Sequence, residues 1–497
     1  MEIQLKKEPL NCCLPVFAEI VHGEFSTEAV VPDTMPDIVR ILDTVAAVYL
    51  RSRTMTDGRI ALEGEIHGTV LYLGEDSDRI RKLDLRMPCT LSMEDESILE
   101  SDRMTAELRL VSAVGRAVNP RKVELTAECA AAVTLYRETC IQIPTGAEDA
   151  EIQTLIQEQK IGYIASVQQK SFVVTEELTV PAAKPSIDTL LSYQIEAVVE
   201  EQKPVGGKII LQGNVHVGVQ YLGTEGEPEQ ELFSVPFSQI IDMPEGVGGT
   251  SQIILLPDAC YLETIQGTYG ASSLHLETHL LAQAIFSAER EIPILTDVYS
   301  VHHPCTVKTN KAELAGALRT VSLRDTLRET METADPPSEI LFGRADVGLP
   351  MKKEDGIVLP VTIHVMCRNE QGQYSSVNRA AEMEFPMAGA EGENLVWESP
   401  ISAEPYLTLS GGNVEFRLPL EIRGVLMELQ QQDLICGVEM DEETDVRSPD
   451  APSLTLVRLG EDTLWTLAKK YGSTEEMIRS VNPQAETGDI LLIPRVR

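Results

Sequence analysis

The chain has 497 residues, 43% of them hydrophobic and 24% charged, which excludes a disordered protein. Lys and Arg number 41 against 78 Asp and Glu, a net charge of −37 that argues against nucleic acid and charge-driven membrane binding. At roughly 100–200 residues per domain the length implies about three or four domains.

Met1 to Leu10 carries charges and no apolar stretch, so no secretory signal is expected there. No apolar run is long enough to span a membrane. The nine cysteines are odd in number and form no Cys-x-x-Cys, which points to reduced thiols in an intracellular protein. Aromatic residues are only 5%, which disfavours a sugar-stacking enzyme.

The first organising feature is a repeat. Val31–Gly74 aligns without a gap with Val180–Gly223, and fourteen of forty-four positions are identical. They include Pro32/Pro181, Pro36/Pro185, Leu42/Leu191, Gly64/Gly213 and His67/His216. A more diverged third copy has Asp335-Pro336-Pro337 at the proline pair and Asp355-Gly356-Ile357 at the Asp57-Gly58 turn. The spacing of Ile38, Ile41 and Leu42, repeated at Ile187, Leu190 and Leu191, predicts one short helical turn after each proline. Strict alternation then predicts long strands with one buried and one wet face. Ile60, Leu62, Gly64, Ile66, Gly68, Val70 and Tyr72 share one face in the first copy; Ile209 to Tyr221 and Ile357 to Val365 repeat it. Further alternating strands begin at Val123, Leu274 and Val414, and Pro360 and Pro419 place two strands of the third copy at edges or bulges. The fold class is therefore mainly β, with three tandem β-rich, sandwich-like copies at 1–150, 151–308 and 309–437.

An acidic, Pro-containing linker is expected over 438–452, followed by a small βααβ domain over 453–497. Leu454–Arg458 alternates as a strand. Leu464, Leu467, Ala468 and Tyr471 have helical spacing, with Asp462 or Thr463 as cap and Gly472 as stop. Ser473-Thr474-Glu475-Glu476 reads as a capping box for a second helix that ends at Asn482-Pro483, and Ile490–Ile493 is the last strand. Leu464, Trp465, Leu467, Ile478 and Leu491 are its predicted core, Trp465 packing against the second helix.

Asp462-Thr463-Leu464-Trp465-Thr466-Leu467-Ala468-Lys469-Lys470-Tyr471-Gly472, with Asn482-Pro483 and Gly488-Asp489-Ile490-Leu491-Leu492-Ile493-Pro494, resembles the LysM domain. That resemblance implies a binding edge made of the loop before the first helix (Gly460, Glu461, Asp462, Thr463) and the loop after the second (Asn482, Pro483, Gln484, Gly488). The family's usual ligand is an N-acetylglucosamine-containing glycan. Pro32-Asp33-Thr34-Met35-Pro36-Asp37-Ile38, the Asp-Gly turn and the strand ending Leu71-Tyr72-Leu73 resemble the SPOCS domain. Three such copies before one LysM domain resemble the SipL type of spore-coat morphogenetic protein. The resemblance implies a mother-cell cytoplasmic scaffold recruited to the forespore surface. Its implied partners are the coat basement-layer ATPase, bound through the LysM end, and other spore-coat proteins.

No catalytic constellation accompanies these copies, so no enzyme and no cofactor are expected. Gly206-Gly207-Lys208 lacks the flanking residues of a phosphate loop, having Gln202 and Ile209 where Gly and Ser/Thr belong. His275, Glu277 and His279 share a strand face but have no further zinc ligands, and His302-His303-Pro304-Cys305 points its ligand types to opposite faces. No metal site is expected. His67, His216 and His364 recur on the polar face as a fold position. Cys12-Cys13 has no resolving motif. Lys and Arg at 458, 469, 470, 479, 495 and 497 balance Asp and Glu at 461, 462, 475, 476, 486 and 489, so the module is neutral on an acidic body. Glu461 within the usual Gly-Asp-Thr and the short second loop weaken a sugar groove and favour protein docking over a peptidoglycan reader. Self-association is left open.

Overall fold

The computed structural model describes residues 1–149, 151–244, 247, 251–265, 272–333, 335–353, 355–387, 394–446, 452–460, 462–483 and 489–496. Its architecture is mainly β, as the alternation predicts, and the described residues hold two helices, both near the C-terminus. Three successive sections of chain follow one plan: an opening strand, a three-stranded antiparallel meander, then closing strands. In the first section Leu5–Val30 opens, Ile38–Thr56, Arg59–Gly74 and Ser77–Glu94 form the meander, and Arg103–Asn119 and Lys122–Ala147 close. The second section runs from Ile152–Thr179 through the meander Ile187–Val205, Lys208–Gly223 and Pro228–Asp242 to Ser273–Ser300. In the third, the opening strand is split into Cys305–Ala315 and Arg319–Met331, the first meander strand into Pro337–Val347 and Met351–Lys353 beside Gly356–Asn369 and Tyr374–Pro386, and the closing strand into Asn413–Met427 and Leu429–Met440.

Each meander forms a sandwich with only part of its long strands. Ile60, Leu62, Ile66, Val70 and Tyr72 pack on Val123, Leu125, Ala127 and Ala131 in the first section. The remaining strand length projects beyond the sandwiches as three two-stranded ribbons, ending at the pairs Leu5↔Ala147, Ile152↔Ser300 and Cys305↔Met440. The ribbons touch through single backbone pairs, Cys13↔Ile164 and Ala315↔Gly162, and bury Leu10, Ile143, Ile161, Ile292, Ile294, Leu314 and Leu434 between them. Gly162 must be glycine: its N–H donates to Gly316 O at 2.8 Å, and a Cβ would stand 2.5 Å from that oxygen.

The helical turn predicted after Pro36 and Pro185 is absent; the chain is already in the first meander strand. Two residues there are left unpaired by consecutive bulges. The register skips Val39 and Leu42 in the first section, Asp188 and Leu191 in the second, and Ser338 and Leu341 in the third. Two insertions three residues apart break the period of two and imitate helical spacing. Their effect is to turn Leu42, Leu191 and Leu341 toward one cluster, with Leu71, Leu222, Phe342 and Met366, where the three meanders meet. Pro360 and Pro419 also depart from expectation. Both lie in central strands, where the neighbouring strand is interrupted, and each offers its carbonyl to the break, to Gly348 N (2.8 Å) and Ala403 N (3.1 Å). Cys305–Ala315 straddles the expected 308/309 boundary, and Leu429–Met440 carries strand past the expected linker start at 438.

The polar side of the meanders is buried where sections touch. Asp43 of the first section forms a fully buried ion pair with Arg344 of the third, whose guanidinium also donates to Thr44 O at 2.8 Å. His364 lies between Asp43 and Asp346, its Nε2 3.0 Å from Asp346 Oδ2, and Gln194 of the second section donates to Asp346 Oδ1 at 2.8 Å. Burial opposes the charge of Asp43, yet Arg344 and His364 hold its pKa below the usual carboxylate range. Burial and Arg344 push the His364 imidazole down, but Asp346 and Asp43 more than compensate and leave it raised. His364 is thus only 3% exposed, whereas His67 is half-buried and His216 exposed. The three histidines share a strand face, but in the third section that face is interior. Elsewhere, Gln283 of the second section pairs its amide with both backbone groups of Ala106, at 2.6 and 2.8 Å.

Two outcomes are expected. Arg344→Leu leaves Asp43 charged and buried, and should lower body stability at pH 7 by about 3–5 kcal/mol, with Asp43→Leu added in the same chain recovering much of the loss. An unchanged urea midpoint for the single variant would contradict the arrangement. Glu398, at the contact with Gln202 of the second section, has its pKa raised to about 7, because burial outweighs the pull of Arg423 and the Gln202 hydrogen bond. A raised carboxyl pKa means the folded state holds the proton longer, so stability falls as pH rises from about 4.5 to about 7. Glu398→Gln should therefore match the wild type in melting temperature near pH 4 and exceed it at pH 8.

Candidate functional site

The C-terminal module is a βααβ unit: Leu454–Arg458, helix α1 at Leu464–Tyr471, helix α2 at Glu475–Val481, and Ile490–Pro494. The two strands pair antiparallel from Leu454↔Pro494 to Arg458↔Ile490. Thr463 is the N-cap of α1, accepting from Thr466 N at 3.2 Å, and Gly472 ends it at φ 64° in the left-handed region. The capping box predicted from Ser473 is replaced by a simple cap one residue later: Thr474 accepts from Met477 N, with Met477 where the box would need an acid, while Ser473 is buried.

Of the predicted core, Leu467, Ile478 and Leu491 are buried and Leu464 is half-buried at its edge. Trp465 is also buried, but against the body. Its ring meets Tyr299 edge-on at 4.8 Å, and its Nε1 donates to Asp297 Oδ2 at 2.8 Å. Lys469 Nζ bridges both oxygens of Asp297 at 2.7 and 2.8 Å, and Tyr299 donates its hydroxyl to Ser473 O at 2.9 Å. Burial alone would raise the Asp297 pKa; Lys469 and the indole outweigh it and hold the carboxyl low. The same burial, with Glu475 and Asp297 nearby, pushes the Tyr299 phenol up to about 12. The module is therefore seated on the end of the Ser273–Ser300 strand. The segment before it is also tied down, with Asp441 N donating to Pro304 O and Val446 N to His302 O. Neither the seat nor these ties showed in the sequence, because Asp297 and Tyr299 are ordinary strand residues until the module covers them.

Among the predicted loop residues, Gly460, Asp462, Thr463 and Pro483 are exposed at one edge of the module. Glu461, Gln484 and Gly488 lie outside the described residues. Asn482 has a different job. Its Nδ2 donates to Ile478 O and Leu492 O, both at 2.7 Å, and its Oδ1 accepts from Leu492 N at 2.9 Å. The carboxamide closes α2 onto the last strand and is spent inside the fold.

The other candidates carry no site. His279 contacts Glu277 at 2.8 Å on a half-exposed face, and His303 contacts Thr444 O at 3.0 Å. Cys12 and Cys13 are buried in the opening strand, and burial pushes both thiols up to about 11, away from thiolate reactivity. Among the described residues no three His, Cys, Asp or Glu side chains gather to hold a metal ion, and no helix is long and apolar enough to cross a membrane.

A family model described as SipL, SPOCS domain matches residues 186–254. The match covers the second meander and the start of the strand Ser251–Ile265. It supports a SipL-like family and ties this part of the chain to sporulation and the spore coat, and that family is not a known enzyme family. No curated protein and no solved structure matches the chain.

Asp297→Ala should loosen the seat by removing a charge-assisted bond worth about 1.5–3 kcal/mol. In a Trp397→Phe background, emission from Trp465 should then shift to the red and become more open to acrylamide quenching. Unaltered emission and quenching would show that Asp297 does not hold the module.

Proposed function

We propose that the chain is a non-enzymatic scaffold of endospore coat assembly in the mother-cell cytoplasm. In this reading its βααβ module is a LysM domain that docks to the coat basement-layer ATPase on the forespore surface. The observation that carries the reading is the SPOCS match at 186–254, which lies in a body of one strand plan used three times. The module supports a docking role because it is neutral at its tip while the net charge of −37 lies in the rest of the chain, so a partner can approach it with less repulsion. The exposed loop residues Gly460, Asp462, Thr463 and Pro483 belong to the contact edge, joined by Glu461, Gln484 and Gly488, while Asn482 supports that edge from within. Other spore-coat proteins would bind the body. A glycan reader fits less well, because the indole of Trp465 is occupied by Tyr299 and Asp297 and offers no free platform for a sugar ring.

The full chain should bind the purified coat basement-layer ATPase, a chain ending at residue 446 should lose most of that binding, and neither should bind chitin oligomers. Binding of the full chain to chitin oligomers or muropeptides, with none to the ATPase, would reverse the assignment.

A further inference from the structure

The two-stranded sheet of the module has one face on its helices and one on solvent. Val457, Leu491 and Ile493 point inward to the helices. The outer face sets Leu454, Leu456 and Arg458 opposite Pro494, Leu492 and Ile490. Leu454, Leu456 and Ile490 are 54%, 69% and 62% exposed. Single exposed leucines are ordinary, but three large apolar side chains on one five-residue ladder, flanked by half-buried Leu492 and Pro494, form a contiguous patch of the kind that marks an interaction site. Arg458 is the one charged side chain on this face. It is exposed and makes no ion pair among the described residues. On the side of the first helix the patch runs on into the exposed loop, since Arg458 stands two residues before Gly460.

We propose that this outer sheet face is the centre of the module's docking surface, with the exposed Gly460, Asp462 and Thr463 at its polar rim. Its occupant is a protein of different sequence that presents apolar side chains around a carboxylate. The inference rests on the docking role proposed above and moves the main contact from the loops to the sheet. The unpaired Arg458 amid leucines calls for a carboxylate on the partner, because burying it unpaired would cost more than the apolar contact returns. A second copy of this chain is a poor occupant. It brings another −37, and its own outer face offers only Arg458 and apolar groups to Arg458. Anionic lipid is disfavoured by the same body charge.

The test uses the full chain, with the purified coat basement-layer ATPase as probe. Leu456→Asp and Arg458→Glu should each weaken binding at least tenfold, Arg458→Lys should stay within about threefold of wild type, and melting temperatures should not change, since both side chains are already in water. If wild type binds and Leu456→Asp binds equally well, the sheet face is not the contact and the docking reading survives without it. If wild type does not bind, both fall together. A wild-type dimer or binding to anionic vesicles that Leu456→Asp abolishes would assign the face to a second copy or to lipid, and would overturn the occupant named here.

Discussion

The structure depends on a pair of β-bulges placed at the same point in each of three meanders. Each pair carries one leucine out of the local alternation and into a cluster shared by all three sections, built on Leu42, Leu191 and Leu341. Bulges that re-aim a side chain are a known use of an irregular register, and here they convert three sandwiches into one body. At the other end the long strands overrun their own sandwiches, and their apolar residues find cover only against the ribbons of the other two sections. No section can bury its own strands completely.

Charge is arranged around the same meeting point. Asp43, Arg344, His364 and Asp346 come from two sections and Gln194 from a third, so the cost of removing their charges from water is offset only when the sections are together. The C-terminal module adds to this body rather than trailing from it. Its α1 face is used on Asp297 and Tyr299, which leaves its outer sheet, the described loop residues and the exposed side of α2 free to meet something else. The seat thus decides which face of a small domain is available.

Much of this was legible in the sequence. Alternation gave the mainly β class, and the Gly64/Gly213 identity has a clear cause: a Cβ would stand 2.9 Å from Tyr49 O and 2.0 Å from Val198 O. The stop at Gly472 could be read from local chemistry alone, and the sequence narrows the cap to Asp462 or Thr463, of which the structure uses Thr463. Where the structure departs from the sequence pattern, the cause is physical. Two bulges three residues apart write a helical spacing into a strand, and a proline is tolerated in a central strand when its neighbour is broken. Whether a polar face is wet or interior depends on what packs against it, so His364 could not be told from His216. The motif places Asn482 in a loop, and what the sequence does not show is that its side chain reaches back to Ile478 and Leu492.

The most direct test of one shared body is urea unfolding of the full chain followed by hydrogen exchange in peptides from each section. The account predicts that peptides around Leu42, Leu191 and Leu341 lose protection at a single common urea midpoint. Three separate midpoints, one for each section, would show independent domains on a string and contradict it.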